Sequence, residues 1–494
     1  MAGGEFEGVE ERLADVERWL EPGGEHAGTP TPPAGMVVVD KGELARLPGA
    51  IQMYRAALAL VRGDAAATVG HARRAIDRAA DGDDLTRAGA SALMGLALWG
   101  DGELEAAHRA YTVAAEGLRR TGHIADVLGC SITLADIRIT QGRLSEALRT
   151  YEEALRLAAD PDGTVLRGTA DMYVGMSRIA CERDDLPAAT RHLRRAEELG
   201  EHTWLPQNPY RWRVAMARVR EAEGDLDGAR ELLDEAQQVY MGDFSPNVRP
   251  IPALRARVLA ARGRVGDALA WAREQGLSAD DDLSYLRELE HVTLARVLLA
   301  QAAAQPAAAP VDAAARLLGR LLQAAEAGER TGTAIEILVL QALTDRARGD
   351  VPAALVALER ALTLAEPEGY VRVFAAEGPP MASLLARVAK QRPGWDYVRR
   401  LRQACGRAGG TTPTGRAAAA RQRLVEPLSE RELDVLRLLT SDLDGPDIAR
   451  ELTVSLNTLR THTKSIYAKL GVNSRRAAVR QAAELNLLSR TPDR

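Results

Sequence analysis

A break that recurs seven times along the chain limits what this sequence can fold into. Helix-forming stretches are interrupted by a pattern that, in its fullest form, reads Gly, any residue, Leu or Val, two more residues, then Ala. The copies are Gly63-Asp-Ala-Ala-Ala-Thr68, Gly102-Glu-Leu-Glu-Ala-Ala107, Gly142-Arg-Leu-Ser-Glu-Ala147, Asp184-Asp-Leu-Pro-Ala-Ala189, Gly224-Asp-Leu-Asp-Gly-Ala229, Gly263-Arg-Val-Gly-Asp-Ala268 and Gly349-Asp-Val-Pro-Ala-Ala354. Their starts lie 39, 40, 42, 40, 39 and then 86 residues apart. The double gap predicts a degenerate copy, and Ala309-Pro-Val-Asp-Ala-Ala314 falls inside it.

Each part of the pattern has a physical role. Gly ends one helix in a left-handed backbone conformation, the next residues start an antiparallel partner, and the small Ala lets the two helices approach. A hairpin of this kind keeps an apolar side for its neighbour, so the units stack into a solenoid. A period near 40 with two helices per unit marks the tetratricopeptide (TPR) type, slightly longer than the usual ~34 residues. Roughly eight pairs, beginning near Pro48, predict a superhelix with a broad concave surface for binding.

Length and composition agree. With 494 residues the chain has room for two to four domains. Aromatic residues make up 4% while Ala, Leu, Arg and Glu abound, which suits packed helices. A net charge of −5 argues against a uniformly nucleic-acid-binding surface, so any basic character must be local. Cys130, Cys181 and Cys405 stand apart, without zinc-ligand or disulfide spacing, and point to a reducing, cytoplasmic setting. No apolar run approaches the roughly 20 residues a membrane span needs, and the acidic N-terminus is unlike a secretory signal.

Local basic character appears at the C-terminal end. Ser429-Glu-Arg-Glu432 is a capping box that opens a helix carrying Leu433, Val435, Leu436, Leu438 and Leu439. Asp444 and Pro446 open a shorter helix through Leu452, and Thr453 and Val454 form a turn. Ser455 is suited to cap a third helix, with Leu456, Leu459, Thr463, Ile466, Tyr467 and Leu470 on the face to be buried and Arg460, Thr461, Lys464 and Ala468 opposite. A fourth helix is expected from Ser474 through Leu485. Acids outnumber bases from Leu428 to Thr453; after Asn457 the bases Arg460, Lys464, Lys469, Arg475, Arg476, Arg480 and Arg490 face only Glu484 before the tail. The plan is a helix-turn-helix whose second helix is cationic outside, the arrangement that enters a major groove and neutralises phosphate.

At these residues the sequence resembles the LuxR-type DNA-binding domain of bacterial transcription factors. The matching pattern is L-S-x-R-E-x-x-V-L-x-L-L, then I-A-x-x-L-x-V-S-x-x-T-L-R-x-H-x-x-x-I-Y-x-K-L-G-V-x-x-R-x-x-A-V. The resemblance implies base contacts from Arg460, Thr461 and Lys464, and backbone contacts from Ser455, Thr458, His462, Lys469 and Arg475 or Arg476. The chain departs from the family pattern at Asp442, Gly445 and Asp447, ahead of and inside the scaffold helix. Upstream, Val356 to Phe374 followed by Glu377-Gly-Pro-Pro-Met381 resembles the closing segment of the repeat domain in the large MalT-like regulators. That family joins a nucleotide-hydrolysing switch, a helical-repeat sensor and a LuxR-type C-terminal domain. The last two parts match, and the first is expected to be missing: no G-x-x-x-x-G-K-[ST] loop exists, and Gly410-Thr-Thr-Pro-Thr-Gly415-Arg416-Ala417 lacks the phosphate-reaching Lys and the metal-binding hydroxyl.

The expected fold is therefore all-α: a tetratricopeptide-like α-solenoid followed by a four-helix LuxR-type helix-turn-helix domain. The expected order is an N-terminal helix and linker over 1–35, the repeat sensor over 36–389, a basic linker over 390–425 and the DNA-binding domain over 426–491. The linker carries Arg392, Arg399, Arg400, Arg402, Arg407, Arg416, Arg421 and Arg423. In the fifth repeat Trp204, Tyr210 and Trp212 are candidates to stack on a sugar or other planar group, with Arg211 or Arg213 to hold an anion, although aromatics at helical spacing are more often core. No H-E-x-x-H, G-x-S-x-G or Cys–His arrangement suggests catalysis, so no enzyme, cofactor or metal is expected. The expected function is transcription regulation, as an activator, with these partners: double-stranded DNA, a second copy of the chain on paired half-sites, an inducer or protein in the superhelix, and RNA polymerase, but no membrane. Two rival readings are a protein-interaction scaffold with the C-terminal domain as a docking unit, and a partner of a separate ATPase chain.

Overall fold

The computed structural model describes residues 8–20, 37–159, 165–242, 245–305, 307–409, 429–441, 443–470, 472, 475 and 478–479. It divides into two compact units, Met1–Cys405 and Gly406–Arg494. Among the described residues regular structure is helical, and the single β pairing is an isolated bridge between Ala159 and Val165.

In the first unit α1 (Val9–Leu20) precedes eight helical hairpins. These are α2 (Lys41–Val61) with α3 (Ala65–Arg78), α4 (Asp84–Gly100) with α5 (Leu104–Arg120), α6 (Ile124–Thr140) with α7 (Leu144–Ala158), and α8 (Thr169–Glu182) with α9 (Leu186–Glu198). There follow α10 (Asn208–Ala222) with α11 (Leu226–Gln238), α12 (Ile251–Ala261) with α13 (Val265–Glu274), α14 (Glu288–Ala304) with α15 (Ala308–Ala327), and α16 (Thr331–Ala347) with α17 (Val351–Ala365).

The grammar of the breaks is realised in the backbone. Gly63, Gly102, Gly142, Gly224, Gly263 and Gly349 have φ between 74° and 84°, and Asp184, which replaces Gly once, has φ 65°. Left-handed backbone at Asp is among the less costly departures from Gly. Five residues on, Thr68, Ala107, Ala147, Ala189, Ala229, Ala268 and Ala354 are all 0% exposed, each in the second helix of its pair. Ala314, at the same place in the degenerate copy, is also 0% exposed, so that copy keeps the close helix contact while its break moves ahead to the residues between Ala304 and Ala308.

The superhelix closes on itself. After α17 the chain forms α18 (Arg372–Ala375), α19 (Gly378–Gln391) and α20 (Asp396–Gly409). One hydrophobic core joins Leu128, Tyr151 and Met172 of the third and fourth pairs to Ile335, Leu358, Phe374 and Leu401 of the eighth pair and this tail. The backbones also meet: Val371 N–H donates to Glu182 O at 2.9 Å, and a Cβ on Gly332 would lie 2.6 Å from Ile139 O. The broad concave face expected from the repeat is thus narrowed to a partly open lumen.

The expected linker from residue 390 needs correction. Within α20, Tyr397, Val398, Leu401, Ala404 and Cys405 are buried against the eighth pair, because they recur at three- and four-residue steps on one face. Arg399 on the other face is exposed. The solenoid therefore runs to Cys405, and the expected linker from 410 to 425, like the first residues of the expected DNA-binding domain, 426–428, lies outside the described residues.

In the second unit α21 (Glu430–Leu438), α22 (Gly445–Glu451) and α23 (Leu456–Leu470) pack on a core of Leu433, Leu436, Leu439, Ile448, Leu459 and Ile466, completed by Ala478. The starts of the helices follow their caps. Ser429 and Glu432 form the reciprocal capping box, Asp444 accepts from Asp447 N–H at 2.9 Å, and Ser455 Oγ accepts from Thr458 N–H at 3.1 Å. Thr453 makes the turn between α22 and α23 with φ 55°.

Candidate nucleic-acid interface and the solenoid lumen

Helix α23 divides its residues by solvent. Leu459 and Ile466 are buried and Tyr467 is half-buried, while Ser455, Thr458, Thr461 and Lys464 are exposed at three-residue steps. Lys464 makes no ion pair among the described residues. Leu456, expected in the buried stripe, is 37% exposed, because it sits in the first turn ahead of the core. His462 is half-buried at the edge of the exposed face. Arg460 lies in α23 but its side chain, like all of Arg476, is outside the described residues.

Two cations expected on phosphate are engaged inside the unit. Lys469 Nζ is 3.0 Å from Glu432 Oε2, and its side chain is 16% exposed. Glu432 also accepts from Ser465 Oγ at 2.6 Å and from Ser429 N–H at 2.7 Å. Burial opposes the charge of Glu432, but these donors outweigh it and bring its carboxyl down to about 2. The guanidinium of Arg475 donates to the carbonyls of Leu439, Ser441 and Leu443, closing the C-terminal end of α21, where a cation also meets the negative end of the helix dipole. Neither role is visible in a count of charges. The capping box is legible in the sequence; that its Glu432 also holds Lys469 is not.

In the solenoid the lumen forms a cavity of about 310 Å³. Its walls mix aromatics with charge. Trp99 Nε1 donates to Tyr285 Oη at 3.1 Å, and the rings of Tyr210 and Tyr240 lie 5.0 Å apart. Arg178 pairs with Asp136 at 2.5 Å, Arg218 with Glu182 at 3.1 Å and Arg257 with Glu336 at 2.8 Å. Arg296 shares Glu336 at 3.0 Å and also reaches Glu377. Burial opposes charge at Glu336, yet Arg257 and Arg296 outweigh it and hold the carboxyl down to about 2. Glu182 shifts the other way, raised by its burial.

The aromatic cluster of the fifth repeat divides between wall and lumen. Trp204 Nε1 donates to Ala196 O at 3.3 Å and Trp212 Nε1 to Leu193 O at 3.1 Å, so both pack against the fourth pair and neither lines the cavity. Tyr210 and Arg211 do line it, with Arg211 3.9 Å from Asp171, whose carboxyl burial pushes up to about 6. Arg213 pairs with Glu235 at 3.1 Å outside the cavity. Sequence reasoning missed the lumen arginines, although a signal exists: Asp136, Arg178, Arg218 and Arg257 each stand six residues ahead of a break, at Gly142, Asp184, Gly224 and Gly263.

A closed TPR-type superhelix followed by a helix-turn-helix unit defines a two-module class of protein in which one part encloses a cavity and the other exposes a groove-sized helix. A family model described as the MalT-like TPR region matches residues 49–391, and one described as bacterial regulatory proteins, luxR family, matches residues 426–482. The chain belongs to the MalT-like TPR family. It is 25% identical over 381 residues to the HTH-type transcriptional regulator MalT of Klebsiella pneumoniae subsp. pneumoniae, covering 72% of this chain and 40% of that protein. To MalT of Yersinia pestis (strain Pestoides F) it is 24% identical over 379 residues, covering 71% and 40%. The chain thus spans about 40% of the length of these curated relatives. Among solved structures, a Rap protein complexed with competence and sporulation factor aligns with a TM-score of 0.49 at 11% identity, over 73% of this chain and 91% of that one. No described helix is long and apolar enough to cross a membrane.

Proposed function

We propose that the chain is a sequence-specific DNA-binding transcriptional regulator: the C-terminal unit reads DNA, and the superhelix takes a small molecule or partner in its lumen and so controls that reading. The observation that carries the first half is the two-sided α23, with Leu459 and Ile466 in the core and Thr458, Thr461 and Lys464 facing solvent. A helix of 15 residues with one face exposed, supported by α21 and α22, fits the major groove of a duplex. In this reading Arg460, Thr461 and Lys464 contact bases, and Ser455, Thr458, His462 and Arg476 contact phosphate or sugar. Two copies on half-sites about one helical turn apart give the usual geometry for such units, with activation through RNA polymerase as the regulatory outcome. The lumen, rich in both aromatic and charged side chains, supports the second half, since ligand sites combine apolar walls with a few placed polar groups.

The test is a binding titration of the full chain against fragments selected from genomic DNA. Arg460→Ala should relax specificity at one base pair at a cost of about 1–3 kcal/mol. Equal loss on every DNA would remove Arg460 from base readout. Salt-independent or absent DNA binding by the unaltered chain would favour the scaffold reading, in which the C-terminal unit only docks proteins.

A further inference from the structure

One cation in the lumen differs from the rest. Arg249 lies on the connector between α11 and α12 and lines the cavity, yet it makes no ion pair or hydrogen bond among the described residues. Its neighbours do not compensate it. Beyond the protein that surrounds it, the charges acting on it most are those of Arg218, Arg178 and Arg257, all unfavourable, with the favourable Glu336 ranking after them. That carboxylate is already shared by Arg257 and Arg296. Arg178 and Arg218 are in turn committed to Asp136 and Glu182. Arg211 and Arg372, which also line the cavity, reach Asp171 and Asp184. Six lumen guanidiniums therefore have carboxylates within the protein, and Arg249, still accessible to solvent inside the lumen, has none among the described residues.

Like charges crowded into a protein-walled space destabilise one another unless an anion joins them, and Arg is the side chain best shaped to hold carboxylate or phosphate by two parallel hydrogen bonds. The same connector brings Tyr240 against Tyr210, and both rings line the cavity. We propose that the lumen is a binding site for an anionic small molecule, whose carboxylate or phosphate docks on Arg249 beside Arg178, Arg218 and Arg257 and whose body lies against Tyr210 and Tyr240. The proposal rests on the reading of the lumen as the ligand site of the sensor. It narrows the ligand class: a neutral molecule of the same size leaves Arg249 without its counter-charge.

Two matched pairs test it by calorimetric titration into the full chain at fixed ionic strength: ribose 5-phosphate against ribose, and gluconate against glucose. Inorganic phosphate and pyrophosphate serve as minimal probes. The charged member of one pair or an inorganic anion should bind saturably, and the pair that responds tells phosphate from carboxylate. Arg249→Gln should weaken that binding about tenfold or more, the usual scale for a charged hydrogen bond. Arg249→Lys should recover part of it. Arg399→Gln, on the exposed face of α20, should change nothing. Because Arg249 bonds to no described residue and is surrounded by like charge, Arg249→Gln should not lower the melting temperature, and that measurement guards against misfolding. Binding of neutral and charged members alike, indifferent to Arg249→Gln, would overturn the anionic assignment while leaving the lumen a ligand site. The anionic assignment falls equally if none of the anions binds in an Arg249-dependent way. Arg249-dependent anion binding that leaves DNA affinity unchanged would instead keep the anion site and refute the sensor reading.

Discussion

In the lumen, Arg178, Arg218 and Arg257 lie against Asp136, Glu182 and Glu336, three carboxylates supplied by the superhelix itself. In the C-terminal unit, Lys469 and Arg475 also find protein acceptors, in Glu432 and in the carbonyls that end α21, whereas five residues before Lys469 the side chain of Lys464 stays in solvent. The two regions carry similar cations and assign them differently. A cation becomes structural when the fold sets an acceptor across from it, and stays available to a ligand when the fold does not. Removing an acceptor from a buried pair leaves an uncompensated charge, so the damage should follow burial and pairing, not position along the chain.

The largest effect is expected at Glu336. Glu336→Ala strips the shared carboxylate from Arg257 and Arg296 in a mostly buried setting and should cost about 3–5 kcal/mol, read as a loss of melting temperature in the first transition of the full chain. A cost below about 1 kcal/mol would mean the lumen charges are effectively solvated and would weaken the contrast with the surface.

Glu432→Ala comes next, at about 3 kcal/mol for the C-terminal unit, because it removes the acceptor for Lys469, Ser465 and the Ser429 N–H together. The pH dependence has a definite sign. Folding lowers the pKa of Glu432 from its ordinary 4.5 to about 2, so its contribution is fully present above pH 4.5 and fades as pH falls toward 2. The C-terminal transition monitored between pH 6 and pH 3 should therefore shift down with acid, and Glu432→Gln should flatten that slope. A Gln variant with the unaltered acid sensitivity would place the titration elsewhere. Arg475→Ala should cost about 1–3 kcal/mol by orphaning the carbonyls of Leu439, Ser441 and Leu443, visible as a lower melting temperature of the same unit.

The fold is legible in the sequence because it is periodic. Seven breaks announce the helix hairpins, and their residues adopt the left-handed backbone that the pattern requires; Ala314 even marks the degenerate copy. Closure of the superhelix is not legible, since it depends on Gly332 meeting Ile139 O and on Phe374 joining a core begun at Leu128, contacts across about 200 residues that no local pattern encodes. The end of the solenoid is obscured for a related reason: the arginines of α20 mask its Tyr397, Val398, Leu401 stripe. At the candidate interface the caps and the two-sided helix are readable. The internal commitments of Lys469 and Arg475 are not, because an acceptor from another helix has no fixed sequence distance. The Arg178, Arg218, Arg257 register lies in plain view once the repeats are aligned on their breaks.

The smallest effect on stability is expected at Lys464, and setting it against Lys469 on the same helix gives the finest test of the comparison. Lys464→Ala removes an exposed cation with no described ion pair, so the unfolding free energy should stay within about 0.5 kcal/mol of the unaltered chain. Its signature should appear on DNA instead. Each neutralised phosphate contributes about 0.9 to the slope of log affinity against log salt, so the loss of one contact should flatten the slope by roughly that amount if Lys464 touches backbone; base readout alone leaves the slope and relaxes one position. Lys469→Ala should do the reverse, lowering the melting temperature by leaving Glu432 without its cation while keeping most of the salt slope. Measuring both variants by salt-titrated anisotropy and by thermal melting separates the roles. If Lys469→Ala flattened the slope and left stability untouched, the ion pair with Glu432 would have to open in the complex, and Lys469 would return to the set of phosphate contacts.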